Sequence, residues 1–190
     1  MDMSDLVKEG NLKIRPMRDD PEDYEVMAKW LTDMRVLEFY EGRDNPMPPQ
    51  RIKENFAPGI VGRDGVVPCI LEFENAPMGY MQFYPITEDA DLPGDWKMNG
   101  LYGMDQFIGE PDFWNRGIGT RAVSLLVRYL FDMQGANGVI VDPHATNARA
   151  IRCYEKCGFK KVKLLPEHEL HEGEYRDCWL MVIFKSCQVL

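Results

Sequence analysis

Residues 101–131 constrain the fold of this chain more than any other stretch. Leu101 to Ile108 is apolar and aromatic and has the length of a β-strand, with the carboxylate of Asp105 in its middle. A glycine-containing turn follows. After the turn, apolar residues recur every three or four positions from Ile118 to Leu130, which predicts an amphipathic α-helix. The sequence therefore predicts a strand, a tight turn and a helix in immediate succession.

The turn between this strand and this helix is suited to an anion. Gly117 and Gly119 lack a Cβ, so a ligand can approach the backbone closely. The first N–H groups of the helix have no partner within it, and the positive end of the helix dipole lies there. Phosphate is the natural ligand of such a place, although glycines also open helices for steric reasons alone. The sequence contains neither a P-loop motif nor a Rossmann glycine motif.

Composition and charge restrict the partners of this chain. Its 190 residues, 45% hydrophobic and 28% charged, are typical of one globular domain, and we expect a single domain over residues 1–190. The net charge of −9 opposes nucleic acid and anionic membranes and favours a cationic partner, although many proteins are acidic for solubility alone. We find neither a signal-peptide pattern nor an apolar run of membrane-spanning length, and we expect a cytoplasmic protein.

The cysteines point to reduced thiols. The chain has five of them, an odd and scattered set, which does not resemble a disulfide framework. Cys153 and Cys157 lie one helical turn apart and could in principle bind a metal. Because no C-x-x-C motif is present, separate thiols are the commoner explanation. We therefore expect no metal site.

The remaining patterns predict an α/β chain of mixed element order. We predict helices over residues 21–32, 35–40, 50–56 and 146–157. The other predicted strands are 12–17, 66–73, 78–85, 138–141, 159–165 and 179–184. Two acidic segments, 87–99 and 166–177, are predicted to be loops.

Two motifs in the second half of the chain carry a family resemblance. The first is W-N-R-G-I-G-T at residues 114–120, immediately before and within the start of the long helix. The second is N-x-x-A-x-x-x-Y-x-x-x-G-F, formed by Asn147, Ala150, Tyr154, Gly158 and Phe159. At this separation the two motifs resemble the acetyl-CoA-binding core of the GNAT N-acetyltransferases. The resemblance implies the α/β (α+β) GNAT fold, a central mixed, mostly antiparallel sheet flanked by helices.

Longer segments resemble one branch of that superfamily. WLTDMRVLEFYEGRD, YGMDQFIGEP, DPHATNARAIRCYEKCGF and LPEHELHEG are similar to the aminoglycoside 6'-N-acetyltransferases, and the similarity spans about residues 12–184. It is strongest to the acetyltransferase half of the bifunctional acetyltransferase–phosphotransferase enzyme of Gram-positive resistance. The resemblance implies direct transfer from acetyl-CoA to the 6'-amine of aminoglycosides in a ternary complex. It also implies that acetyl-CoA is the co-substrate, that no metal takes part, and that the protein is a monomer or homodimer.

The resemblance also implies roles for individual residues. Asp105 would act on the amine as general base, and Tyr154 would be the general acid for the coenzyme A thiolate. The backbone amide of Phe107 or Ile108 would polarise the thioester carbonyl. The acetyl-CoA site would consist of Phe107, Ile108, Trp114, Asn115, Arg116, Gly117, Ile118, Gly119, Thr120, Asn147, Ala150 and Tyr154.

Two of these positions need comment. Trp114 stands where the superfamily has Gln or Arg, but because the phosphate contacts use backbone N–H groups we expect little loss of function. An aspartate with an ordinary pKa of about 3.9 is a weak base for an alkylammonium. Unless its pKa is raised, Asp105 must work mainly by holding the cation and passing its proton through water.

A site for aminoglycosides should be acidic and aromatic, because these molecules carry several ammonium groups and many hydroxyls. In Tyr40 and Glu41 an aromatic face adjoins a carboxylate, which suits a cationic ligand. The same pair of neighbouring residues is equally consistent with Tyr40 in the hydrophobic core and Glu41 on the surface. The candidate substrate residues are Tyr40, Glu41, Asp95, Trp96, Asp105, Asp142, Glu172 and Asp177.

Three other functions are compatible with the sequence. The chain could acetylate another small polyamine or a peptide amine, or it could be a non-catalytic acyl-CoA sensor, although the presence of both Asp105 and Tyr154 opposes a sensor. It could also be a metal-dependent hydrolase using His144, His168 and His171. The order E-H-E-L-H-E is not H-E-x-x-H, so an acidic loop over the substrate is the simpler interpretation of that segment.

Overall fold

An eight-stranded β-sheet runs through the part of the chain that the structure describes. The structure is a computed structural model, and the described residues are 5–63, 65–87, 92 and 100–185. The strands are β1 (Val7–Glu9), β2 (Leu12–Pro16), β3 (Val67–Phe73), β4 (Ala76–Pro85), β5 (Leu101–Ile108), β6 (Gly138–Val141), β7 (Lys160–His171) and β8 (Glu174–Phe184). The helices are α1 (Pro21–Trp30), α2 (Met34–Leu37), α3 (Pro49–Ile60), α4 (Ile118–Met133) and α5 (Ala148–Lys156).

The strand order is β1-β2-β3-β4-β5-β6-β8-β7. β5 and β6 pair in parallel, whereas the other neighbouring strands of this sheet are antiparallel. Between β5 and β6 the chain forms α4, as a parallel connection requires. The predicted mixed and mostly antiparallel sheet flanked by helices is confirmed.

The parallel pairing of β5 and β6 ends early. It joins Leu101 to Gly138, Tyr102 to Val139 and Gly103 to Ile140, and it goes no further. β5 continues to Ile108 along β4, so within the described residues its other edge has no strand partner beyond Gly103. The two strands therefore separate, and a cleft opens between the end of β5 and the chain that follows β6.

Each face of the sheet has its own hydrophobic core. α4 packs on one face, where Ile118, Ala122, Leu126 and Leu130 join Met81 and Met104 in one buried cluster. α1 and α3 cover the other face, where Met27, Trp30 and Ile52 pack with Ile70 and Tyr80. Both cores hold β4 and β5 in place, and these two strands carry the residues of the cleft.

The structure confirms some predicted elements and corrects others. β5 and β6 have the predicted bounds, and α4 begins at Ile118 as predicted. The predicted loop over residues 166–177 is wrong, because β7 and β8 extend through it and meet at a turn in which Glu172 and Gly173 have φ values of 52° and 76°. β7 is exposed along most of its length, so it lacks the apolar alternation that marks a half-buried strand.

The remaining differences are small. β1 was not predicted, because three exposed or half-buried residues give no recognisable pattern. α3 is longer than predicted and contains Pro58. Most of the acidic segment 87–99 lies outside the described residues. No helix in the described ranges has both the length and the apolarity that crossing a bilayer needs.

Candidate active site

A cavity of about 330 Å³ lies where the end of β5, the start of α4 and one side of α5 meet. Most of the residues predicted for the acetyl-CoA site line it, and the exceptions are Arg116 and Tyr154. The Arg116 guanidinium lies 5.0 Å from the ring centre of Phe113, which does line the cavity. The structure thus brings the two sequence motifs together around one space.

The N-terminus of α4 forms one wall of this cavity. Gly117 precedes the helix with a φ of 79°, a left-handed conformation that glycine adopts without strain, and Asn115 has a φ of 60°. No side chain of the described residues caps this helix end. Its free N–H groups and the helix dipole therefore act together at the cavity wall, as an anion site requires.

Basic side chains of α5 form a second wall, which the sequence analysis missed. The residues that line the cavity are Arg149, Arg152 and Lys156. They are spaced three and four residues apart, which places them on one helix face, and this spacing is visible in the sequence. The Arg149 guanidinium lies 3.8 Å from the ring centre of Trp114. Trp114 Nε1 donates a 2.8 Å hydrogen bond to the Ile108 carbonyl, so the indole links α5 to β5. Trp114 therefore has a structural role of its own at this position.

Asp105 lies beyond the end of the β5–β6 pairing and immediately precedes Gln106 and Phe107, which line this cavity. Its cross-strand neighbour on β4 is Gln82, whose Nε2 donates a 2.7 Å hydrogen bond to Asp105 Oδ2. The pKa of Asp105 is raised to about 6, mainly by burial and also by the charges of Asp142 and Glu169, whereas hydrogen bonds from Gln82 and Tyr84 oppose the shift. The raised pKa that a base at this position needs is therefore present.

Tyr84 reaches Asp105 because its cross-strand neighbour is a glycine. Gly103 pairs with Tyr84, and a Cβ on Gly103 would lie 2.3 Å from Cε2 of the tyrosine ring. No other residue leaves room for the ring in this position. The sequence analysis missed both Gln82 and Tyr84, because cross-strand neighbours follow from the pairing register and neither residue belongs to a motif.

Aromatic and acidic side chains surround Asp105 in the cleft. The Tyr40 ring centre lies 4.7 Å from that of Phe107 and 6.4 Å from that of Tyr80. Burial raises the pKa of Tyr40 well above its usual value, and the charge of Asp105 adds to this shift. Asp142 follows the last residue of β6, and Glu169 on β7 is an acidic residue that the sequence analysis missed.

The other predicted substrate residues have varied surroundings. Glu41 is exposed, has a φ of 67°, and lines with Tyr40 and Gln82 an adjoining cavity of about 210 Å³. Glu172 accepts a 2.7 Å hydrogen bond from Arg43 Nη2, and this pairing lowers the pKa of Glu172 to about 2. Asp177 is exposed and accepts a hydrogen bond from the backbone N–H of Glu167. Asp95 and Trp96 lie outside the described residues.

Tyr154 is buried on α5 beneath the cavity. Its side chain is 5% exposed, and its ring packs 5.5 Å from that of Phe159. Burial raises the pKa of Tyr154 well above its usual value, and the charge of Asp105 contributes to the shift. The tyrosine is therefore protonated at neutral pH and able to donate a proton. The neighbouring Cys153, also missed, lines the cavity with its Sγ 3.6 Å from Thr120 Oγ1.

Comparison with known proteins agrees with this geometry. A family model described as "Acetyltransferase (GNAT) domain" matches residues 19–166. An aminoglycoside N(6')-acetyltransferase type 1 of Klebsiella pneumoniae is 30% identical over 142 residues, which cover 73% of this chain and 70% of that protein. A kanamycin resistance protein of Rhizobium radiobacter is 40% identical over 62 residues, covering 33% of this chain and 57% of that protein.

Solved structures match over almost the whole chain. The aminoglycoside acetyltransferase AAC(6')-Ib bound to ribostamycin and coenzyme A is 25% identical, with a TM-score of 0.78 and coverage of 93% of this chain and 94% of that one. The same acetyltransferase bound to coenzyme A and kanamycin is 26% identical, with a TM-score of 0.75 and coverage of 92% and 95%.

We predict that the Gln82→Leu substitution raises the pKa of Asp105 above about 6, because it removes a hydrogen bond that stabilises the charged carboxylate. A pH titration of the aspartate side-chain carboxyl carbons by NMR measures the midpoint. The control is Gln50→Leu, since Gln50 is exposed and bonds to Glu54, so this substitution should leave the Asp105 midpoint unchanged. A midpoint that stays the same or falls in Gln82→Leu contradicts the assignment.

Proposed function

This chain belongs to the GNAT acetyltransferase family, and we propose that it transfers the acetyl group of acetyl-CoA to the 6'-amine of aminoglycosides. The observation that carries the proposal is the position of Asp105, a buried carboxylate that precedes two lining residues of the basic cavity, Gln106 and Phe107, and that feels the charges of Asp142 and Glu169. Basic groups on one side and acidic groups on the other suit an anionic donor and a cationic acceptor. The named activity of the Klebsiella relative supports the choice of acceptor.

The donor occupies the basic cavity. The pyrophosphate of acetyl-CoA binds the free N–H groups at the start of α4, from Asn115 to Thr120, as the helix dipole favours. Arg149, Arg152 and Lys156 supply positive charge beside it. Arg116, which lies against the ring of the lining residue Phe113, adds a further positive charge near this cavity.

The acceptor occupies the acidic cleft. Asp105, Asp142 and Glu169 provide negative charge for several ammonium groups, and Tyr40 offers an aromatic face for a cation. Glu41, Glu172 and Asp177 are the outer candidates, and Glu172 can help only by exchanging its Arg43 partner for the substrate. The net charge of −9 favours the approach of such a polycation and opposes nucleic acid.

The reaction is a direct transfer between the two bound substrates. The neutral amine nitrogen attacks the thioester carbonyl carbon, the C–N bond forms, and the C–S bond breaks. Asp105, with its pKa raised by burial, accepts the proton that the amine must lose, directly or through a water molecule. The backbone N–H of Ile108 polarises the carbonyl, because it lies on the free edge of β5, whereas the register directs the N–H of Phe107 toward β4.

Tyr154 completes the transfer by giving its proton to the departing coenzyme A thiolate. At neutral pH the buried phenol keeps its proton, so its O–H can donate a hydrogen bond to the thiolate as it forms and pass it the proton. We place the reaction in the cytoplasm, since the free thiols of the four described cysteines suit a reducing compartment. The protein would act as a monomer or homodimer formed from a single acetyltransferase domain.

The acceptor position is tested by thiol release from acetyl-CoA. We expect release with kanamycin, whose 6'-position bears an amine. We expect little release with an aminoglycoside that has a 6'-hydroxyl instead, because a hydroxyl is a weaker nucleophile than an amine and would need a stronger base than Asp105 to activate it. Release with neither, while acetyl-CoA still binds, overturns the aminoglycoside assignment and favours a sensor or another amine. Equal release with both contradicts the 6'-amine specificity.

The role of Tyr154 is tested by the Tyr154→Phe substitution. We expect kcat to fall roughly 100-fold, in the range of general-acid catalysis, while the KM for acetyl-CoA changes little because Tyr154 is not among the residues that line the cavity proposed for the donor. The control is Tyr129→Phe, which removes a hydroxyl bonded to Gln134 on the far part of α4. An unchanged kcat in Tyr154→Phe shows that the residue only fills the core.

A further inference from the structure

Two buried histidines and a carboxylate meet beside the acidic cleft. These are His144, Glu169 and His171, and one ligand atom from each lies within 4.8 Å of the other two. His144 is 6% exposed and His171 is 5% exposed, whereas the side chain of Glu169 is 49% exposed. The acetyl transfer described above needs neither histidine, so their convergence calls for a separate explanation.

The fold fixes the three side chains from two segments. Glu169 and His171 are two residues apart in a regularly paired part of β7, so they project from the same face of the strand. His144 follows β6 and is held by a β-bridge to Cys178 on β8. From the sequence we expected no metal site, although His144, His168 and His171 were considered as the ligands of a hydrolase; Glu169 was not considered, because its approach to His144 depends on the fold.

The hydrogen bonding of His171 leaves a lone pair available. His171 Nε2 lies 3.0 Å from the carbonyl oxygen of Glu38, which can only accept, so Nε2 carries the proton. In the neutral ring, Nδ1 is then unprotonated and able to bind a metal. A metal-binding histidine commonly donates its other N–H to a backbone carbonyl in this way, which fixes both its tautomer and its orientation.

The spacing and the donor types suit a transition metal. His144 Nε2 lies 3.0 Å from Glu169 Oε2, and the two imidazole rings meet edge to face at 4.6 Å between centres. Two ligands of one tetrahedral zinc ion, each bonded at about 2.0–2.1 Å, lie about 3.3 Å apart, so small side-chain shifts suffice. The Cys178 Sγ, 3.9 Å from Glu169 Oε2, adds a soft donor nearby. Imidazole and thiol favour zinc or cobalt over magnesium or calcium.

We propose that His144, Glu169 and His171 bind one divalent transition-metal ion of the zinc type. The ion enters past the half-exposed Glu169 and joins the segment after β6 to the β7–β8 hairpin. Through the His171–Glu38 hydrogen bond it also joins the hairpin to the end of α2. The two sites share Glu169, so a bound ion would take one carboxylate from the acidic cleft, but the proposal does not depend on the identity of the acceptor.

The test is calorimetric titration of zinc chloride into the full, metal-stripped and reduced chain. We expect one ion per chain and an unfolding temperature that rises with zinc concentration, because a ligand of the folded state stabilises it by mass action. His171→Ala and Glu169→Gln should each weaken binding at least about 10-fold, since even outer partners of metal ligands have effects of that size. The Glu169→Gln substitution keeps the shape of a half-exposed side chain, so the variant should fold. It therefore tests the proposed ligands even if the His171→Ala variant unfolds.

Two controls separate this site from the rest of the chain. His168→Ala removes a half-exposed histidine that contacts Asp142 and should leave zinc affinity unchanged. The double substitution Cys153→Ser with Cys157→Ser removes the thiols at the other cavity and should also leave the one-to-one binding intact. Failure of the unmodified chain to bind zinc, or binding that survives Glu169→Gln but not the cysteine substitutions, overturns the proposal.

Discussion

The burial of Asp105 beside a free strand edge is the interaction on which the rest of the site depends. A carboxylate so placed loses hydration, which raises its pKa to about 6, and the hydrogen bonds from Gln82 and Tyr84 keep that rise moderate. This arrangement needs β5 to leave β6 after Gly103 and β4 to stay paired beside it. The same separation of strands opens the cleft, so one feature of the sheet creates both the space and the proposed general base.

Charge is divided between the two sides of this junction. The cavity next to α4 has a helix N-terminus and the basic residues of α5, whereas the cleft beyond Asp105 collects Asp142 and Glu169. A negatively charged chain can therefore bind an anionic donor, because the local field near a site depends on the groups that line it and not on the net charge. The Arg149–Trp114 contact and the hydrogen bond from Trp114 to the Ile108 carbonyl connect the basic wall to β5.

Much of this could be predicted from the sequence, but not all of it. β5, β6 and the start of α4 were predictable because apolar strands and an amphipathic helix have strong periodic patterns, and the two motifs marked most of the cavity wall. Parts of β7 and β8 were predicted as strands 159–165 and 179–184, but their extension through 166–177 was not, since most of the residues there are exposed and show no apolar alternation. Gln82, Tyr84 and Glu169 were missed because they reach Asp105 across strands or from another segment, and this depends on pairing register. Among the missed residues, only the basic residues of α5 form a recognisable sequence pattern, a spacing of three and four positions that places them on one helix face.

The kinetics of the Asp105→Asn variant with kanamycin test the central claim most directly. The substitution keeps the size and the possible hydrogen bonds of the side chain but removes its charge and its basicity. The account predicts that kcat/KM for kanamycin falls roughly 10²- to 10⁴-fold, as expected when a general base is lost, while the Kd of acetyl-CoA stays the same because its phosphate site lies in the basic cavity. A variant that binds acetyl-CoA normally and acetylates kanamycin as fast as the unmodified protein contradicts it.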